Sequence, residues 1–207
     1  MPKSLVARIA LVLSLVLILA IGASAIWLLS TGRGPIDGSG AALVGGPFEL
    51  MDQTGRTRRD EDFRGSYMLV FFGYTFCPDV CPTTLADITG GLDLLAESAP
   101  EKAARVTPIF ITVDPERDTV EALADYAGYF HPRLVALTGT PEQVGTAIKA
   151  YRIYAQKTED DGEGSYLMDH SAMVYLMGPD GDYLTFIPHG TPPEDIAETL
   201  NKWVKAN

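Results

Sequence analysis

The chain has two cysteines, and they stand four residues apart in Phe72-Gly73-Tyr74-Thr75-Phe76-Cys77-Pro78-Asp79-Val80-Cys81-Pro82. On a helix, positions i and i+4 face the same way, about 5–6 Å apart. Two thiolates so placed can grip one soft metal ion. The positive end of a helix also lowers thiol pKa values, which makes thiolates available. The same separation is slightly long for a relaxed disulfide, whose β-carbons lie about 3.8 Å apart. A first turn that unwinds a little would close that gap, and Pro78, which has no N–H, favours such unwinding. The plainest reading of two cysteines in an exported chain is a structural disulfide. Against it, a four-residue loop barely constrains the unfolded chain, so the bond would add little stability. Metal and redox chemistry therefore both stay open for this pair. The three histidines, His131, His170 and His189, each read singly as capping, surface or core residues.

The elements that must position the cysteines alternate along the chain. Asp52-Gln53-Thr54-Gly55 is a hairpin turn between 48–51 and 57–58. Tyr67 to Phe72 is a continuous apolar run of strand length, expected at the centre of a sheet. Pro82 to Glu97 carries Leu85, Ile88, Leu92 and Leu95 at helical spacing, interrupted by Gly90-Gly91. A second buried strand is expected at Val106 to Val113, a helix from Asp118-Thr119 through Tyr129, and a short strand at Leu134 to Leu137. Thr140-Pro141-Glu142-Gln143 is a capping box for a helix to about Tyr151. Arg152 to Lys157, Ser171 to Met177 and Tyr183 to Ile187 read as strands, the last two joined by the Gly178-Pro179-Asp180-Gly181 turn. Thr191-Pro192-Pro193-Glu194 is expected to cap a final helix with Ile196, Leu200, Trp203 and Val204 on one side. This alternation predicts an α/β sheet with helices on both faces. In such sheets active residues lie just past the C-terminal ends of strands, which is where Cys77 falls.

Composition sets the compartment and excludes some functions. The 207 residues carry a net charge of −11, with 46% hydrophobic and 9% aromatic residues. A disordered chain is excluded, two cysteines cannot make a four-thiolate zinc site, and a nucleic-acid partner is not expected of so acidic a chain. Ile9 to Ser30 is a run of 22 residues without a charge, preceded by Lys3 and Arg8. A membrane-spanning helix needs about 20 such residues, and the basic residues place the preceding end in the cytoplasm. A cleaved signal with Ala23-Ser24-Ala25 as its site is the competing reading; Ile26-Trp27-Leu28-Leu29 continues the apolar run past it. The expected organisation is a cytoplasmic tip and transmembrane anchor over 1–30, a Gly/Ser-rich flexible linker over 31–46, and one folded domain over 47–207.

Further motifs follow in order: Thr112-Val113-Asp114-Pro115-Glu116-Arg117-Asp118-Thr119, Phe130-His131-Pro132-Arg133-Leu134 with Leu137-Thr138-Gly139-Thr140, and Asp169-His170-Ser171-Ala172. With the C-x-x-x-C-P element they closely resemble the Sco/SenC family of membrane-anchored copper proteins of cytochrome c oxidase assembly. The resemblance runs from about Gly46 to Trp203. It implies a thioredoxin-like, peroxiredoxin-related fold and a copper ligand set of Cys77, Cys81 and His170. It also implies cytochrome c oxidase subunit II as partner, with an upstream copper donor. The domain is then expected in the bacterial periplasm or the mitochondrial intermembrane space.

The implied ligands make chemical sense. Two thiolates select Cu(I), and an imidazole accommodates Cu(II). Because an oxidising compartment opposes free thiols, a thioredoxin-like reductant is expected to keep the pair reduced. Family members divide labour between copper delivery and thiol reduction, so a redox-active Cys77–Cys81 pair in a thiol–disulfide oxidoreductase or peroxidase is the alternative. Asp79 is expected to complement the helix dipole rather than to bind metal. Asp114, Arg117 and Asp118 are expected either to organise the loop beside the site or simply to form a turn and helix cap. Tyr74, Phe76 and Pro78 are expected to line the mouth around Cys77.

Overall fold

The computed structural model describes residues 13–23, 44–158 and 166–206. Residues 13–23 form a helix, α1, whose apolar side chains are exposed. Among the described residues no helix is long and apolar enough to cross a membrane. The remainder of the expected anchor, and most of the expected linker, lie outside the described residues. In the second compact unit Val44 packs against the core, and the Gly45 N–H donates to the Ala150 carbonyl at 3.0 Å.

This unit is an α/β body. The hairpin β1 (Glu49–Asp52) and β2 (Thr57–Arg59) leads to the central strand β3 (Tyr67–Gly73), then α2 (Val80–Ser98), a short α3 (Pro100–Ala103) and β4 (Val106–Thr112). Next come α4 (Val120–Ala127), β5 (Val135–Thr138), α5 (Pro141–Ala150), β6 (Ala155–Lys157), β7 (Met168–His170), β8 (Met173–Met177), β9 (Tyr183–Pro188) and α6 (Pro193–Trp203). Seven strands make one mixed sheet in the order β2-β1-β5-β4-β3-β8-β9, and β6 and β7 form a separate antiparallel ribbon.

The continuous apolar run 67–72 is explained by its place: every residue of β3 is buried. Its two faces meet different helices. Phe71 and Phe110 are register partners whose rings lie 6.2 Å apart, and Tyr126 of α4 stacks on Phe110 at 5.6 Å. Phe72, one residue on and so on the other face, meets Tyr151 at the end of α5 at 5.3 Å. Helices thus cover both faces, as expected.

Local signals explain most helix ends. Thr119 and Thr140 accept from the amides of Ala122 and Gln143, and the Thr140–Gln143 capping box is reciprocal. Three expectations are corrected. The region 152–157 is a strand only over Ala155–Lys157, because Arg152 takes a left-handed turn with φ +54°. Thr191 does not cap α6; its hydroxyl donates to the Pro188 carbonyl, and Pro192 stands at the cap. Ile196 and Leu200 of α6 and Val204 just after it are buried, but Trp203 is 37% exposed. Gly91, which weakens α2 in isolation, has a packing reason. A β-carbon there would lie 2.6 Å from Ile196 Cγ2, so the glycine lets α6 approach.

Sheet register fixes the site. β3 and β4 are parallel with Gly73 opposite Thr112, and the Val113 N–H donates to the Gly73 carbonyl at 2.8 Å. The loops after these strands therefore leave the sheet side by side. β8 is antiparallel to β3, with Val174 opposite Phe71. The start of β8 thus lies at the same pole as the end of β3, and the segment just before it, with His170, arrives beside Cys77 and Cys81.

Candidate metal centre

Cys77 and Cys81 do not share a helix. Cys77 sits in the loop after β3, its N–H donating to the Tyr74 carbonyl at 3.3 Å, and α2 begins only at Val80. The pair meets through a turn: the Cys81 N–H, in the first turn of α2, donates to Cys77 Sγ at 3.3 Å. An orphan amide of the helix start is thus satisfied by sulfur. The thiols are not bonded to each other; Cys77 is half-buried and Cys81 fully buried. Gly73 makes room, since a β-carbon there would lie 2.8 Å from Cys81 Sγ.

The expected lowering of thiol pKa by the helix end fails for Cys81. Burial pushes its thiol well up, and the neighbouring Cys77 side chain adds to the rise. Desolvation of the charged form outweighs the half-charge of a helix terminus. A proton on Cys81 must therefore be displaced by a partner that binds sulfur tightly, as a soft cation does.

His170, at the end of β7, completes the cluster. Its Nε2 is 3.5 Å from Cys81 Sγ. Its Nδ1 lies 3.1 Å from the Ser171 carbonyl, which can only accept, so Nδ1 carries the proton and Nε2 is bare. That is the tautomer a metal ligand needs, set by a backbone oxygen behind it. Burial lowers the His170 pKa, which favours the neutral ring. The rings of Tyr74 and Phe71 stand edge-on to the imidazole, at 5.9 and 6.3 Å, and fix its plane. As they lie, no three His, Cys, Asp or Glu side chains among the described residues enclose one metal-sized point. Cys81 and His170 touch, and the Cys77 sulfur accepts from the Cys81 amide.

The cluster opens into a cleft of about 260 Å³ lined by Cys77, His170, Asp79, Leu167, Met168 and Asp169, among others. Asp79 stands at the cap position of α2 without a side-chain cap bond. Of the residues expected at the mouth, Tyr74 and Pro78 line this cleft, Tyr74 with little of its ring exposed, and Phe76 is exposed. Tyr74 is the last residue before the loop turns outward, and its ring supports His170 from below.

Asp114, Arg117 and Asp118 do more than make a turn. Buried Asp118 accepts from the Thr75 amide and hydroxyl and from the Thr112 hydroxyl, so it ties the cysteine loop to the end of β4. Arg117 pairs with Asp114 and donates to the Tyr166 carbonyl. The other histidines are engaged elsewhere. His131 is buried and its Nδ1 accepts from the Arg133 amide; His189 Nδ1 meets the Thr84 hydroxyl at 2.9 Å. Sequence reasoning gave no role to Tyr166 and Met168. Their one signal was their place just before Asp169-His170; Met168 opens β7 and Tyr166 lies two residues before it.

A family model described as SCO1/SenC matches residues 36–205. The chain belongs to the SCO1/SenC family. Protein SCO2 homolog, mitochondrial, of Danio rerio is 42% identical over 164 residues, covering 79% of this chain and 58% of that protein. Protein SenC of Rhodobacter capsulatus is 41% identical over 169 residues, covering 82% and 74%. The chain spans only 53% of the human SCO1 homolog, to which it is 40% identical. Among solved structures, Bradyrhizobium japonicum ScoI with copper bound superposes with a TM-score of 0.71 at 41% identity, covering 78% of this chain and 99% of that one. Yeast Sco1 with copper bound gives 0.72 at 32% identity, covering 80% and 91%. BsSco, a member of the Sco family of cytochrome c oxidase assembly proteins in which a disulfide switch was identified, gives 0.60 at 26%, covering 77% and 92%. These Sco structures share the α/β sheet described above.

Proposed function

We propose that this protein is a membrane-anchored copper metallochaperone. Cys77, Cys81 and His170 hold copper as Cu(I) or Cu(II), taken from an upstream donor and passed to the binuclear centre of cytochrome c oxidase subunit II. A thioredoxin-like reductant keeps the cysteine pair reduced. The run from Ile9 to Ser30 anchors the chain, with the domain outside the cytoplasm. The observation that carries the reading is the bare His170 Nε2 at 3.5 Å from Cys81 Sγ, with the Cys77 sulfur on the Cys81 amide. Two soft sulfurs and one imidazole suit both oxidation states of copper. The solved copper-bound relatives support the same cargo. A site of three donors leaves the ion open to an incoming ligand, which suits a carrier more than a store.

A second reading, thiol–disulfide exchange by Cys77 and Cys81, is favoured by the turn that brings the two sulfurs to one amide, and by the disulfide switch of BsSco. The readings differ over His170, which thiol exchange does not need as a ligand. The test is a paired Cu(I) and Cu(II) titration of reduced wild type, oxidised wild type and His170→Ala. Even an outer partner of a ligand can carry up to about 100-fold in metal affinity, so the mutant is expected to lose at least that for Cu(II) while Cu(I) falls modestly. The oxidised protein should lose Cu(I) binding. If His170→Ala binds both ions like wild type, His170 is not a ligand and the thiol-exchange reading takes precedence.

A further inference from the structure

The candidate ligands arrive on two separate pieces of chain. Cys77 and Cys81 come from the loop after β3 and the start of α2, whereas His170 comes on the β6–β7 ribbon, which shares no hydrogen-bonded ladder with the main sheet. A copper site needs these pieces at a fixed distance, and one side chain spans them. Arg117, in the loop after β4, donates from Nη1 to the Tyr166 carbonyl at 2.9 Å, on the chain entering β7. Its guanidinium carbon lies 3.7 Å from the Tyr166 ring centroid and 4.8 Å from that of Phe76, the neighbour of Cys77. The Tyr74 ring, edge-on to His170, lies 5.8 Å away. Buried Asp114 neutralises the cation, and its other oxygen accepts from the Tyr166 hydroxyl at 2.8 Å. The Arg117 Nη2 is buried with no hydrogen-bond acceptor among the described residues. The guanidinium is thus held partly by aromatic faces, which attract a partly dehydrated cation more than an exposed one.

We propose that Arg117 is a positioning residue of the metal centre, a latch that fixes the His170 ribbon against the cysteine loop. The proposal rests on the reading that Cys77, Cys81 and His170 hold copper. A second link joins the ribbon to the loop after β4, the ion pair of Lys157 on β6 with Glu116 at 2.6 Å, and the Lys157 Nζ also lies 4.5 Å from the Tyr166 ring centroid. Both side chains of the ion pair are about half exposed, so water and salt screen it and it holds little. Lysine at 117 could keep a charge near Asp114, but it lacks the planar fork that stacks on rings and reaches the Tyr166 carbonyl together.

The test uses the full chain in detergent, reduced and copper-free, loaded with Cu(I) or Cu(II). Arg117→Met keeps an apolar stem and removes the latch. Loss of an outer-shell partner typically costs about 10–100-fold in metal affinity, and that loss is expected for Cu(II), which depends on the imidazole. Cu(I), dominated by the two sulfurs, is expected to keep its wild-type affinity. The thiolate-to-Cu(II) absorption band and the Cu(II) electron paramagnetic resonance spectrum should change. In the copper-free protein, amide exchange over 166–171 should accelerate. Arg117→Lys should not restore the spectrum, and Lys157→Ala should match wild type. Should Arg117→Met fail to fold, Tyr166→Ala removes the stacked ring and the hydroxyl on Asp114 but keeps the backbone carbonyl, and should show a smaller loss that is again selective for Cu(II). Wild-type Cu(II) affinity and spectrum in the latch variants overturns the proposal. So does an equal fall in both ions, which would report general destabilisation, or a Lys157→Ala loss as large as that of Arg117→Met. If wild type itself shows no thiolate–Cu(II) band, the copper reading fails first and the latch fails with it.

Discussion

Removing the Asp118 carboxylate should release the cysteine loop without unfolding the domain. The side chain is fully buried and takes three donors: the Thr75 amide at 3.1 Å and the Thr75 and Thr112 hydroxyls, each at 2.6 Å. A buried donor left without an acceptor costs about 1–3 kcal/mol, so Asp118→Ala has an upper bound of about 3–9 kcal/mol. Two effects reduce it. Thr75 is only half-buried, so water can reach its donors, and the desolvation that raises the Asp118 pKa is no longer incurred. A loss of about 2–4 kcal/mol is expected, against a typical domain stability of about 5–15 kcal/mol. Asn at this position keeps one carbonyl for Thr75. Its amide can donate to the Thr112 hydroxyl, which also accepts from the Asp114 amide. Asp118→Asn should therefore lose only about 1 kcal/mol.

The pH dependence has a definite sign. Burial is the largest influence on Asp118 and raises its pKa above the ordinary 3.8. A raised pKa means that the fold favours the protonated acid. Its contribution is therefore greatest below the unfolded-state pKa and declines as pH rises through the folded one. Asparagine does not titrate, so the stability gap between wild type and Asp118→Asn should narrow from acid towards neutral pH. Urea unfolding of the three proteins between about pH 4 and pH 8 reads both effects. An unchanged midpoint for Asp118→Ala, or a gap that widens with pH, would refute the reasoning.

Two other predictions concern packing and topology. In Gly91→Ala the new β-carbon meets Ile196 at 2.6 Å and the Pro193 carbonyl at 3.1 Å; overpacking at about 1–3 kcal/mol should exceed the gain of about 1 kcal/mol in helix propensity and lower Tm. At Gly145 in α5 a β-carbon meets nothing within 4 Å, so Gly145→Ala should raise Tm by about 2–4 °C, and thermal melts giving both variants the same sign would contradict this account. The anchor reading expects the full chain to stay in carbonate-washed membranes, and release of a form cut after Ala25 would reject it.

The elements were legible in the sequence because their signals are local. The apolar run 67–72, the Thr140–Gln143 capping box and the 178–181 turn each depend on residues within a few positions of one another, and each forms as read. The candidate ligands could be named from the sequence too, through the resemblance that C-x-x-x-C-P after a buried strand and a later Asp169-His170 carry. Where the sequence misled, a distant neighbour was responsible. The helix-end argument for a low thiol pKa omitted the burial of Cys81 beneath β3 and β4. Gly90-Gly91 read as a weakness until α6 packed across it.

The residue types and their order along the chain thus specified which groups could bind a soft metal. Tertiary structure decided which of them meet: Cys81 touches His170, and Cys77 lines the same cleft. His170 is 89 residues from Cys81, and only the antiparallel placement of β8 beside β3 returns it to that strand's end. The orientation of its ring, with Nδ1 on the Ser171 carbonyl and Nε2 bare towards sulfur, is likewise a property of the packed backbone. So is the Arg117 stack, whose members come from three separate stretches of chain. Such contacts require the closure entropy of long loops to be overcome by a whole core, so no window of sequence contains them.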